Sequence, residues 1–121
     1  YIFTPIAADR VVLESSLSFA VAIHKLLVKN EACRLKGLHL FWNMVDGREK
    51  TDLYTLYEQT IGELELPLMK VFIPDTKRFK KELDAQRKTV FRSTLFPADK
   101  RLVKGSNMEE LITEIAYLIK L

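Results

Sequence analysis

At 121 residues, 48% of them hydrophobic and 29% charged, the chain is long enough for one domain with a buried core and has the composition of a folded globular protein. Its formal net charge is only +3, and its single cysteine excludes an internal disulfide and any inference of an oxidising compartment. Cys33, His24 and His39 are too few and too scattered for a metal cluster, and no apolar run approaches the roughly 20 residues that span a bilayer, so the expectation is a cytoplasmic protein without a membrane partner.

The chain opens on Tyr1-Ile2-Phe3, inside an apolar run and with no methionine or signal-peptide pattern, which predicts an artificial start cut from something longer. Residues 1–5 read as a short strand closed by proline. From Arg10 to Lys29 the spacing is helical, with Leu13, Leu17, Ala20, Val21, Ile23 and Leu27 on one broad face and Asp9 as N-cap. Leu38 to Trp42 is a near-continuous apolar strand, interrupted by Asn43 and ended by Asp46-Gly47. Residues 50–61 are helical again, with Gly62 as a stop signal. Residues 68–73 form a third apolar strand broken by Pro74. A short basic helix is expected over 76–86 and an extended loop over 87–105. Ser106 and Glu109 then have the spacing of a capping box, opening a last helix that runs to Leu121.

The order β-α-β-α-β-α-loop-α predicts an α/β fold in which parallel strands are covered by helices on both faces. Three strands make a small sheet with exposed edges, so further strands are expected upstream.

Parallel sheets bind ligands beyond the carboxyl ends of their strands. Those ends are Thr4-Pro5, Asn43 with Asp46-Gly47, and Pro74-Asp75. The Asn43 amide offers two donors and an acceptor, enough to read a purine edge, or it ties down the loop that follows. A phosphate cradle is not encoded: Gly37, Gly47, Gly62 and Gly105 never stand close together, and no strand-end Asp is suited to Mg²⁺ beside a Gly-rich loop. Ser15, Ser16, Ser18 and His24 share one helix, where a base is not aimed at a hydroxyl. No catalytic residue is expected; His24, His39, Cys33, Phe41 and Trp42 read as structural. Charge is concentrated over 77–104, where ten Lys and Arg residues face only Glu82, Asp84 and Asp99. Such a cluster is either a footprint for DNA phosphates or an acidic partner, or a solvated face.

With these landmarks placed, three stretches resemble the C-terminal half of a ParA-like partitioning ATPase, a deviant-Walker P-loop family. Ile2-Phe3-Thr4-Pro5-Ile6 resembles the strand after the Mg²⁺-site strand. Leu40-Phe41-Trp42-Asn43-Met44-Val45-Asp46 resembles the strand that ends in Asn and reads N-x-V-D. Val71-Phe72-Ile73-Pro74-Asp75-Thr76-Lys77-Arg78 resembles the I-P-x-x-x-R strand and loop. The likeness covers residues 1 to about 80, with a family-like last helix after a divergent loop.

The resemblance implies that residues 1–121 form the C-terminal part of a three-layer P-loop ATPase domain whose phosphate loop, switches and catalytic lysines lie upstream. Asn43 would read adenine, and Pro74 and Asp75 would close over the same ring. ATP and Mg²⁺ would be cofactors of the full protein, and neither is expected to bind tightly to this part alone. Arg78, Lys80, Lys81, Arg87, Lys88 and Arg92 would contact non-specific DNA in an ATP-bound self-dimer, with a ParB-like protein as partner. The role would be plasmid or chromosome partitioning, or maintenance of a mobile element. Where the family has an acidic-Ala pair and a Gly-Pro turn, this chain reads Lys80-Lys81-Glu82-Leu83 and Ser93-Thr94-Leu95-Phe96-Pro97, which marks an outlying branch. A membrane-positioning relative is disfavoured because the last helix carries Glu109, Glu110 and Glu114 against Lys120. The alternative from another class is a self-standing flavodoxin-like or receiver-like interaction domain without nucleotide chemistry.

Overall fold

The structure, a computed structural model, describes residues 1–48, 51–76 and 100–121. Strands β1 (Ile2–Ile6) and β2 (Leu38–Trp42) pair in parallel, with Ile2 beside Leu38 and Ile6 beside Trp42. A parallel pair needs a long crossover, and helix α1 (Arg10–Lys29) supplies it. It starts where the sequence predicts: Asp9 is extended, and its Oδ1 accepts the Val12 N–H at 3.0 Å. Pro5 is tolerated inside β1 because alternate nitrogens of the strand point away from β2. That outer edge has no partner among the described residues.

Strand alternation sorts the sheet into two faces. Leu38, Leu40 and Trp42 of β2 join Ile6 of β1, Leu13 and Ala20 of α1, Ile61 and Leu66 in one buried cluster. Helix α2 (Thr51–Glu63) closes this layer. Its Tyr54 meets the Trp42 ring edge-on at 4.9 Å, and its Glu58 accepts the Trp42 indole N–H at 3.0 Å. On the opposite face the registered pair Phe3 and His39 stack at 5.5 Å.

Helix α2 runs through Gly62 and stops later than the glycine suggests. Leu66 N–H donates to Ile61 O and Glu65 N–H to Gly62 O, with Glu65 at φ 56°. This is a Schellman motif whose left-handed position is occupied by Glu65. The buried Ile61 and Leu66 supply the apolar contact that accompanies the motif. The last helix closes in the same way: Leu121 N–H donates to Ala116 O and Lys120 stands at φ 59°.

The third expected strand, over 68–73, is corrected to a segment with two isolated parallel bridges, Leu68 with Leu40 of β2 and Pro74 with Val45 just beyond β2. The reason is an interruption between them. Met69 N–H reaches Leu40 O, but the next bond to the ladder comes from Ile73 N–H to Trp42 O. Two residues have been taken out of the ladder, and side chains of the last helix and its N-cap bind peptide groups of the interrupted stretch. The sheet is therefore a two-stranded parallel pair with a bridged third segment.

The expected basic helix over 76–86 lies outside the described residues except for Thr76, as do residues 87–99 of the expected loop. Residues 100–105, also read as loop, form helix α3 (Lys100–Gly105). The capping box is a second correction. Helix α4 spans Met108–Leu118 behind Asn107, which adopts φ 57° and makes no side-chain cap bond. Ser106 is fully buried and donates back to Val103 O at 3.3 Å, so its hydroxyl closes α3 and does not cap α4. No helix among the described residues is long and apolar enough to cross a membrane.

Candidate functional site

Three chain segments end at the carboxyl edge of the sheet, and backbone bonds fix how they meet. Asn43 N–H donates to Ile6 O at 2.7 Å, the last rung between β1 and β2. Met44 then turns into the left-handed region at φ 52° and stands 54% exposed. Val45 returns to the third segment: its N–H donates to Ile73 O at 3.0 Å and its carbonyl accepts the Asp75 N–H at 2.9 Å. Asn43, Pro74 and Asp75, the residues singled out as the base-binding set, are thus brought to one edge.

The side chains at this edge divide into committed and uncommitted groups. Asp46 accepts both the backbone N–H of Arg48 at 2.9 Å and its guanidinium, at 3.1 and 3.0 Å. These bonds hold the Asp46 carboxyl below its ordinary range and raise Arg48, to which Asp75 also contributes. The loop after β2 is therefore tied by Asp46 and Arg48. The half-buried Asn43 side chain makes no hydrogen bond among the described residues, so it is not what holds that loop. Pro74 is half-buried and Asp75 exposed, its backbone held by Val45.

The edge can present a planar donor–acceptor amide, an apolar proline ring and an exposed methionine to a flat heteroaromatic ligand. Among the described residues no three metal-ligating side chains converge. The six proposed DNA contacts, Arg78, Lys80, Lys81, Arg87, Lys88 and Arg92, all lie outside the described residues.

Sequence reasoning missed three participants. Arg48 could have been found from Asp46-Gly47-Arg48, where an Asx acceptor two residues ahead of a donor marks a turn. Glu114 and Asn107 carry no such signal, because their partners are distant in sequence. Glu114 accepts the Lys70 and Val71 N–H groups at 2.9 and 2.8 Å, and the Asn107 amide donates to Phe72 O at 2.9 Å.

A groove of about 880 Å³ lies elsewhere, between α4 and residues 67–71, with His39, Met69 and Tyr117 in its lining. It opens on the sheet face away from the main core and does not include Asn43 or Asp75. Comparison of the chain with known protein families, with curated proteins and with solved structures returns no match.

Proposed function

We propose that this chain is the adenine-side portion of a ParA-like ATPase with a three-layer P-loop fold, acting in plasmid or chromosome partitioning or in maintenance of a mobile element. The observation that supports it is the uncommitted Asn43 amide, which stands at the carboxyl edge of a parallel sheet beside Pro74 and Asp75. An Asn amide can pair with an adenine edge through one donor and one acceptor. Pro74 covers apolar ring surface, and the Asp75 backbone is anchored so that the loop stays in place. The triphosphate and Mg²⁺ would be bound by the loop and switch residues of the upstream half, and ATP supplies the phosphoryl chemistry there. This chain's own residues orient the base.

Dimerisation on ATP, association with non-specific DNA and engagement of a ParB-like partner belong to the whole protein in this reading. The basic run over 77–104 supplies the DNA contacts. Reversing Lys80 and Lys81 to Glu weakens DNA binding and lowers the salt slope by about one for each phosphate left without its lysine. An unaltered slope would mean that those lysines are solvated charges.

The class is tested by reading the coding sequence upstream of Tyr1. A strand followed by a Lys-Gly-Gly-x-Gly-Lys-Thr loop is the expected finding. A start codon immediately ahead of Tyr1 would remove the nucleotide reading of Asn43 and favour a self-standing interaction domain.

A further inference from the structure

The third segment reaches the carboxyl edge out of step with β2, and the cause lies in α4. From Met69, which donates to Leu40 O, to Ile73, which donates to Trp42 O, the segment spends two residues more than β2 spends from Leu40 to Trp42. The peptide groups thrown out of the ladder are those bound by α4. One Glu114 carboxylate accepts Lys70 N–H on Oε1 and Val71 N–H on Oε2, and Asn107 donates to the Phe72 carbonyl. Backbone polar groups displaced from a ladder need substitutes, and an ionised carboxylate is a strong one. Beyond the bulge, Met44 adds a left-handed residue to β2, and the two irregularities together set Val45 against Pro74.

Drawing the bulge back into the ladder would slide Pro74 and Asp75 past Asn43 by two residues, about 6–7 Å at the rise of a parallel strand. We propose that Glu114 and Asn107 are positioning residues of the base-binding edge: from α4 and its N-cap, they fix the register that puts Pro74 and Asp75 beside Asn43. The role of this register in ligand binding rests on the nucleotide reading above. The register itself does not.

The two parts are measured separately, in the protein expressed from its full reading frame. Register is read by amide hydrogen exchange. In Glu114→Ala the Ile73, Val45 and Asp75 amides lose protection by about tenfold or more, the cost of an interaction on the order of one or two hydrogen bonds. The Asn43 amide, bonded to Ile6 on the β1 side, keeps its protection and serves as the internal control. Glu114→Gln, which accepts with one oxygen and not two, falls between. Asn107→Ala gives the milder version of the same pattern and serves if Glu114→Ala does not fold. Unchanged protection at Ile73, Val45 and Asp75, or equal loss at Asn43, overturns the positioning role.

Base reading is measured by the ratio of affinities for ATP and for ribose triphosphate, which lacks the base. Glu114→Ala lowers that ratio about tenfold with ribose triphosphate binding unchanged, because only the base wall has moved. A parallel fall in both affinities means that α4 acts on stability alone and overturns the link to the base. If Asn43→Ala leaves the ratio unchanged in the same assay, the nucleotide reading fails, while the exchange result still decides the register.

Discussion

Asn43 and Asp46 stand at the same strand end and use their polar side chains differently. Asp46 is spent on Arg48, by two guanidinium bonds and one backbone bond. Its carboxyl is held below the ordinary value, so its contribution to stability is present above the unfolded-state pKa and is lost as pH falls through the folded one. Arg48→Ala should return the Asp46 titration, followed by NMR, toward the usual carboxylate range. The pair is exposed on the arginine side, so the effect on unfolding free energy is small. His39 shows the other case. Burial lowers it from 6.5, against an opposing pull from Glu114 and with a further lowering by the N-terminal charge. The unfolded chain then takes up the proton more readily than the folded one, and stability falls as pH drops through 6.5 toward the folded pKa. His39→Leu should flatten the fall of the denaturation midpoint on acidification below pH 6.5. A wild-type midpoint that rises on acidification would contradict this sign.

Helix ends and the ladder decide what the elements do. Glu65 occupies a left-handed position that costs a side-chain-bearing residue about 1–2 kcal/mol, of which glycine's extra chain entropy gives back about half. Glu65→Gly should therefore raise stability by up to about 1 kcal/mol in urea titration. Leu40 is fully buried between the helix layer and its strand neighbours, and Leu40→Ala should cost about 2–5 kcal/mol.

Much of this level was legible in the sequence. The period of Leu13, Leu17 and Ala20 with the Asp9 cap gave α1, and the run Leu38 to Trp42 gave β2. Local signals failed where a distant group competed. Ser106 has the spacing of a cap, but its hydroxyl is taken by Val103, so Asn107 opens α4. Residues 68–73 have strand composition, but Glu114 offers their N–H groups an alternative acceptor from a far part of the chain. At the carboxyl edge, the positions of Asn43 and Pro74 were legible because strand-end position is local. Glu114 and Asn107 were not, because nothing near them in sequence points to the bulge they hold.

At the scale of the whole molecule, the structure is a small α/β unit in which β1 and β2 pair in parallel and the third segment joins by bridges. The edge where these segments end carries the proposed ligand function, and α4 reaches the same edge through the bulge. The basic run over 77–104 carries the proposed nucleic-acid function, as a charge pattern in sequence. The central claim is that Asn43 reads the base of a bound nucleotide. It is tested most directly by calorimetric titration of ATP into the protein expressed from its full reading frame, as wild type and as Asn43→Ala. The substitution should weaken ATP binding by about tenfold or more, with the folded structure and its melting temperature retained. Equal ATP affinity in the two proteins, or no ATP binding by the wild type, would contradict it.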